Sequence, residues 1–151
     1  MKVVIGADHR GAETAKAVET QLHMDGHSVG MLGDTSGAAT DYPDSAWLVT
    51  QAIMTGSADR GVLICGTGIG MAIAANKVEG IRAALALDEL SAQLSRSHND
   101  ANVLCLSADM LGNTLVRRIV DVWMRTPFDG GRHARRLSKI ARIERREDPR
   151  E

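Results

Sequence analysis

A cysteine followed by closely spaced glycines is the part of this sequence whose residue types best suit chemistry. Cys65 is followed by Gly66, Gly68 and Gly70, and helix-forming residues come next. A cysteine thiolate is a reactive group, and glycines let backbone N–H groups approach a ligand without a Cβ in the way. The free N–H groups at the start of the next helix favour an anion. This turn therefore predicts a binding site for a negatively charged compound beside a thiol.

The segments on either side of this turn predict a strand before it and a helix after it. Val62–Ile64 is a run of apolar residues, two of them β-branched, which is typical of a strand buried on both faces of a parallel sheet. Cys65 then lies at the carboxyl tip of the strand, and Met71–Lys77 is rich in residues that favour a helix. We expect the chemistry at the turn between the two elements.

Three other interpretations of the turn compete with this one. A dinucleotide-binding motif needs a small residue where Met71 stands, although Asp88 lies near the place expected for its acidic residue. A P-loop is excluded because no Gly-Lys-Ser/Thr follows the glycines. A cysteine can also be buried for packing alone. The glycines around Cys65 favour a functional role for it, whereas Cys105 lies in an apolar run and is predicted to be structural.

Length and composition indicate one compact domain over residues 1–151. The formal net charge of −1 argues against a nucleic-acid partner, and no apolar run is long enough to span a bilayer. Charged residues come too early at the N-terminus for a secretory signal, so we expect a cytoplasmic protein. The two cysteines and five histidines lack the spacing of a zinc site, and no metal site is predicted.

Apolar runs that alternate with helical patterns predict a doubly wound α/β fold. The predicted strands are Lys2–Ala7, Ser28–Leu32, Gly61–Cys65, Ile81–Leu87 and Val103–Ser107. The chain is then predicted to continue in a helix over Asn113–Arg125 and a basic C-terminal helix over Ala134–Arg146. Parallel strands need right-handed crossovers, which place helices on both faces of the five-stranded sheet. We expect the strand order 2-1-3-4-5.

This strand order brings two separate motifs to one crevice. Ligands of doubly wound sheets bind outside the carboxyl ends of the strands, where the direction of winding reverses. Strands one and three would flank that point. We therefore expect the turn at Asp8 and His9, which follows strand one, to face the loop at Cys65.

Seven motifs spread along nearly the whole chain carry a family resemblance. They are Asp8-His9, Asp41-Tyr42-Pro43, Cys65-Gly-Thr-Gly-Ile-Gly70, Ala74-Ala-Asn-Lys77, Ser91-Ala-Gln-Leu-Ser95, His98-Asn99-Asp100 and Gly130-Gly-Arg-His133. With these motifs in this order, the chain resembles ribose-5-phosphate isomerase of the B type, in the family that also holds galactose-6-phosphate isomerase subunits. Such enzymes need no cofactor and interconvert ribose 5-phosphate and ribulose 5-phosphate through an enediolate.

The resemblance implies a role for each matching residue. Cys65 would be the base, His98 would open the sugar ring, and Thr67 would help to bind the reacting oxygens. The substrate-binding residues that it implies are Asp8, His9, Gly66, Gly68, Ile69, Gly70, Asn99, Arg132 and Arg136. The chemistry agrees, because proton removal beside a carbonyl needs a base and hydrogen-bond donors for the charge that develops. Histidine suits ring opening, since it gives and takes protons near neutral pH.

The position of His98 in the chain predicts an assembly. It follows the fourth helix and precedes strand five, so in its own subunit it should lie at the amino edge of the sheet, opposite the crevice. We therefore expect a homodimer in which each active site combines Cys65 of one chain with His98 of the other. The resemblance implies the same arrangement, and pairing of dimers into tetramers is left open.

Two positions bear on the chemistry within the family pattern. Many members have an arginine in the turn after strand five, where this chain has Asp109. Another cation could compensate, phosphate binding could be weaker, or the preferred sugar could be another, such as allose or galactose 6-phosphate. Met71 stands where other members place a glutamate base, which favours Cys65 as the base. A non-catalytic module for nucleotides or sugar phosphates is the alternative on the same fold.

Overall fold

The computed structural model describes residues 1–34 and 36–150, and their backbone forms a parallel sheet with helices on both faces. The strands are β1 (Lys2–Ala7), β2 (Ser28–Leu32), β3 (Arg60–Cys65), β4 (Ala83–Leu85) and β5 (Val103–Ser107). The helices are α1 (Ala12–Met24), α2 (Tyr42–Met54), α3 (Ile69–Ala75), α4 (Glu89–Ser97), α5 (Asn113–Arg125) and α6 (Arg132–Glu144). The doubly wound α/β class is therefore confirmed. The predicted domain end, Glu151, lies outside the described residues, as does Thr35.

The order of the last two strands differs from the prediction. The sheet runs β2-β1-β3-β5-β4, so the expected order 2-1-3-4-5 is wrong for its second half. Strand β3 pairs with β5, with Cys65 opposite Ser107, and the short β4 forms the edge. The side chains explain the exchange. All five residues of β5 are buried, which requires neighbours on both sides, whereas the three residues of β4 are half-buried.

The exchanged positions of β4 and β5 also decide which helices share a face of the sheet. Right-handed crossovers place a helix on one face when the chain moves one way across the sheet and on the other face when it moves back. Helices α1, α4 and α5 accordingly pack together on one face, and α2 packs against α3 on the other. Two apolar cores result, one on each side of the strands.

Most element boundaries follow local signals in the sequence. Strands β1, β2 and β5 and helix α5 have the predicted limits, and Asp88 caps α4 by accepting the Ser91 backbone N–H at 2.7 Å. Helix α3 begins two residues before the predicted Met71, and α6 begins before Ala134. In the described part of the chain, every helix is too short or too polar to cross a bilayer.

Candidate active site

The Cys65 sulfur lies in the glycine turn between β3 and α3. The residue is 5% exposed, and the Gly68 backbone N–H donates a hydrogen bond to its Sγ at 3.1 Å. Next to it, the Thr67 hydroxyl oxygen accepts the Ile69 N–H at 3.3 Å. The turn therefore surrounds a thiol with main-chain donors, and the first N–H groups of α3 have no carbonyl of their own helix to bind.

The turn has this shape because Gly68 adopts a conformation that other residues avoid. Its φ is +74°, and a Cβ there would lie 2.6 Å from Leu85 Cδ1 and 3.0 Å from the carbonyl of Leu106. A Cβ at Gly70 would lie 2.7 Å from the Tyr42 ring. The glycines thus permit close packing on the loop as well as a sharp turn.

The turn after β1 meets the Cys65 loop at the same edge of the sheet, as predicted. Strand β1 pairs with β3, and the Asp8 N–H donates to the Ile64 carbonyl oxygen at 3.1 Å. The buried Asp8 carboxylate accepts the backbone N–H groups of Arg10 and Gly11, each at 3.0 Å. Asp8 therefore fixes the turn, and the exposed His9 stands between these bonded residues.

The turn after β5 also joins this crevice, which the predicted strand order did not reveal. The Ser107 hydroxyl donates to the Gly66 carbonyl oxygen at 2.7 Å, and the Asp109 N–H donates to the same oxygen at 3.0 Å. Ser107 was missed because its contact with the Cys65 loop depends on β5 lying beside β3. Its only signal in the sequence is a hydroxyl at the end of a buried strand.

Asp109 pairs with Arg10 beside the Cys65 loop. Arg10 Nε donates to Asp109 Oδ1 at 3.2 Å and Oδ2 at 3.0 Å, and Nη2 lies 2.8 Å from Oδ2. Hydrogen bonding and the charge of Asp109 raise the pKa of Arg10 above its usual value. The carboxylate that replaces the expected arginine therefore holds a cation beside the Cys65 loop, a pairing that sequence analysis missed.

A second cluster forms where α4 ends and α6 begins. The His98 ring stacks on the buried His133 ring, with centroids 4.1 Å apart and planes 7° from parallel. Arg132 and Arg136 are exposed on the first turns of α6. Burial, then the positive charges of His98 and both arginines, lower the pKa of His133, and Asp129 opposes them. The cluster is a concentration of cationic and neutral nitrogen donors suited to an anion.

Asp100 braces the turn that carries His98 and Asn99. Its Oδ1 accepts Arg96 Nη1 at 2.8 Å, and its Oδ2 accepts Arg82 Nη2 at 2.9 Å. The turn takes a positive φ of +44° at Asp100. Asn99 is exposed, and its backbone carbonyl oxygen accepts Arg82 Nε at 3.0 Å. The ion pairs of Asp100 with Arg96 and Arg82 therefore fix the position of the His98 turn.

The two clusters lie at opposite ends of β5 in one chain. The turn with Ser107 follows the strand and contacts the Cys65 loop, whereas the His98 turn precedes it. Five residues of strand, at about 3.3 Å per residue, separate them. The structure thus brings Asp8, His9, Thr67 and the loop glycines to Cys65, and it brings Asn99, Arg132 and Arg136 to His98. It does not bring His98 to Cys65 within the chain.

The histidine cluster has three groups that can bind metals, but its ring geometry does not suit an ion. Ligand atoms of His98, Asp129 and His133 lie within 4.8 Å of one another. A ring nitrogen binds a metal in the plane of its ring. Two nearly parallel rings 4.1 Å apart cannot both direct a lone pair at one point. The arrangement fits an anion that touches ring edges better than it fits a metal.

Comparisons with known proteins agree over nearly the full chain. A family model described as Ribose/Galactose Isomerase matches residues 3–140. Ribose-5-phosphate isomerase B of Escherichia coli is 43% identical over 145 residues, 96% of this chain and 97% of that protein. The chain belongs to the ribose/galactose isomerase family. The structure of Clostridium thermocellum ribose-5-phosphate isomerase B matches with a TM-score of 0.95 at 44% identity, covering 97% of this chain and 99% of that one.

The family includes relatives that act on different sugars. D-erythrulose-4-phosphate isomerase of Pectobacterium atrosepticum is 39% identical over 148 residues, which is 97% of each protein. The resemblance expected from the sequence motifs is thereby confirmed, and the chain is a sugar-phosphate isomerase of the aldose–ketose class.

The structure of this ribose/galactose isomerase family member also weakens the dinucleotide interpretation of its glycine turn. In that interpretation the acidic residue follows the strand adjacent to the glycine loop. Asp88 follows β4, which β5 separates from β3, and its carboxylate caps α4. Cys105 is fully buried, and that burial raises the pKa of its thiol, as expected for a structural residue.

Proposed function

We propose that the chain interconverts ribose 5-phosphate and ribulose 5-phosphate through an enediolate, with the Cys65 thiolate as the base. The observation that carries the proposal is the hydrogen bond from the Gly68 N–H to Cys65 Sγ at 3.1 Å. This contact places a main-chain donor beside the sulfur, and the thiolate is the form of cysteine that can act as a base. The similarity to ribose-5-phosphate isomerases B supports this choice of substrate.

The reaction needs a base and a place for negative charge. The thiolate takes the C2 proton of the open aldose, the C–H electrons form the C1–C2 double bond, and the charge develops on O1. Transfer of the O2 proton to O1 and return of the abstracted proton from the Cys65 thiol to C1 then give the ketose and regenerate the thiolate. Main-chain N–H groups of the turn and the Thr67 hydroxyl are the candidate donors to the enediolate oxygens. One such donor is typically worth about a hundredfold or more in rate.

His98 is proposed to open the ring in the active site of a second copy of the chain. Its place at the far end of β5 prevents it from serving the Cys65 of its own chain. Arg132 and Arg136, near the His98 ring, would then approach the phosphate of the same substrate. His9 and Asn99 complete the set of polar groups proposed to surround the sugar phosphate.

Apolar surface near β4 supports such a pair of chains. Ile69 and Ile73 of α3 are each more than half exposed. Helix α6 buries only His133, and its Leu137 and Ile140 line a groove of about 490 Å³. Monomeric proteins rarely leave such surface uncovered. We propose that a second copy of the chain covers this apolar surface. The His98 of that copy would then lie beside Cys65 of the first chain.

Mixing two inactive variants tests the shared site. Cys65→Ala and His98→Ala are each expected to lose most of the turnover of ribose 5-phosphate. After subunit exchange, half of the dimers are mixed and each contains one intact site, so about a quarter of wild-type activity should return. Sedimentation of differently tagged chains shows whether exchange has occurred. Exchange without recovery of activity would contradict shared sites.

A panel of sugar phosphates tests the substrate. Turnover of ribose 5-phosphate should exceed that of allose 6-phosphate, galactose 6-phosphate and erythrulose 4-phosphate. The similarity to a D-erythrulose-4-phosphate isomerase makes the last compound the sharpest competitor. Higher kcat/KM on any other member would replace the proposed substrate while leaving the role of Cys65 intact.

A further inference from the structure

Arg10 lies beside the Cys65 loop, where its guanidinium would contact a ligand bound to that loop. A Cβ added to Gly66 would lie 2.8 Å from Asp109 Oδ2 and 3.0 Å from Arg10 Nε, so the ion pair rests directly on the loop. His9 precedes Arg10, and the buried Asp8 carboxylate fixes the backbone of both through the Arg10 N–H. Arg10 therefore borders the loop that follows the Cys65 thiol.

Asp109 engages only one edge of the guanidinium. Nε and Nη2 contact its carboxylate, which uses two of the five N–H groups of an arginine. Among the described residues, Nη1 of Arg10 has no hydrogen-bond partner. Three N–H groups remain, and two of them, one on Nη1 and one on Nη2, form the end-on edge of the guanidinium. That edge has the planar, forked geometry that phosphate oxygens bind in pairs.

The pair contributes little to holding the fold together. The side chains of Arg10 and Asp109 are 58% and 37% exposed. Ion pairs at such exposure are screened by water and salt and add little to stability. Its effect on Arg10 is conformational instead, because a carboxylate on one edge orders a long side chain before any ligand arrives and so reduces the entropy lost on binding.

We propose that Arg10 binds the phosphate group of the substrate, with Asp109 as the positioning residue that directs its free edge into the crevice. The inference rests on the proposed function of the Cys65 site, and it adds a cation that the motif comparison did not assign. Asp109 occupies the edge away from the ligand, so the anion approaches the side that carries Nη1. Arg10 is thus a determinant of which phosphorylated compounds the crevice accepts.

The first test separates binding from chemistry. Arg10→Ala should raise KM for ribose 5-phosphate about tenfold or more and change kcat less than about twofold, because a contact with the unreacting phosphate is made equally in ground state and transition state. Arg10→Lys keeps the charge without the fork and should restore part of the loss. Arg125→Ala is the matched control, since Arg125 is exposed and pairs with an aspartate of its own helix. It should leave KM unchanged.

The second test does not require turnover. Calorimetric titration of the full chain with inorganic phosphate should show a dissociation constant at least several-fold higher for Arg10→Ala than for the wild type and Arg125→Ala. Equal phosphate affinity and equal KM in Arg10→Ala and wild type would overturn the inference. A wild type that binds phosphate through Arg10 but isomerises no sugar phosphate would refute the proposed function and leave the inference standing. The role of Asp109 is tested by adding Asp109→Ala to Arg10→Lys. If the carboxylate positions the cation, the double variant should recover less phosphate affinity than Arg10→Lys alone. Equal recovery in the two variants would remove that role from Asp109.

Discussion

Replacing Gly68 by alanine tests whether the shape of the turn controls both folding and catalysis. At φ +74°, an L-residue costs about 1–2 kcal/mol relative to glycine. The new Cβ would also lie 3.0 Å from the Leu106 backbone carbonyl, which cannot move without disturbing β5. The contact with Leu85 Cδ1, at 2.6 Å, involves the end of a flexible side chain and is relieved more easily. We expect Gly68→Ala to lower the free energy of unfolding by about 2–3 kcal/mol.

The same substitution should reduce activity by more than the loss of stability explains. The Gly68 N–H that donates to Cys65 Sγ would be displaced as the turn adjusts. If the thiolate is the base, kcat should fall about a hundredfold, the usual effect of losing one donor to a charged group in an active site. KM should change less than kcat, because the arginines proposed to bind the phosphate are not part of the turn that Gly68 shapes.

Urea unfolding and steady-state turnover measure the two effects separately. Gly112→Ala is the matched control, because Gly112 has φ −75° and a Cβ there would meet open space. It should change stability by less than about 1 kcal/mol and leave kcat unchanged. Wild-type stability in Gly68→Ala would refute the argument from backbone strain. Reduced stability with wild-type kcat would refute the argument that this N–H supports the chemistry.

Two further predictions concern how residues around His98 affect the stability of the fold. Asp100→Ala removes the carboxylate that pairs with the nearly buried Arg96, and it should lower the free energy of unfolding in urea by about 2 kcal/mol. Asp121→Ala breaks a surface pair and should lower it by less than about 1 kcal/mol. Equal losses of stability would contradict this difference. The lowered pKa of His133 means that the folded state binds fewer protons than the unfolded state, so stability should fall as pH falls below about 6.5. His133→Gln should flatten the pH dependence of the urea midpoint, and an unchanged slope would exclude His133 as its source.

Local patterns in the sequence were sufficient for the elements and for one side of the site. The apolar runs at Lys2–Ala7 and Val103–Ser107 predicted strands with the correct limits, and Asp88 was a recognisable helix cap. The turn at Asp8 could be placed beside the Cys65 loop because strands one and three are neighbours in either strand order. These features depend on residues close in sequence or on a single pairing of strands.

Features that depend on distant contacts could not be predicted in the same way. Arg10 and Asp109 are separated by 99 positions, and their meeting requires β5 to lie beside β3. The stacking of His98 on His133 requires α6 to start at a particular place after two glycines with positive φ. No period or spacing in one segment encodes such contacts. The sequence contained a sign of the correct strand order only in the contrast between the bulky residues of β5 and the alanines of β4.

Strand β5 relates the two halves of the proposed site. The turn before it carries His98, braced by Asp100, and the turn after it carries Ser107 and Asp109 against the Cys65 loop. Because the strand is buried and paired on both sides, it holds the two turns at a fixed separation. In a symmetric pair of chains, each β5 would therefore support its own Cys65 at one end and present His98 to its partner at the other. A change within β5 should then alter proton abstraction in one site and ring opening in the other, whereas a change confined to either turn should alter only one step.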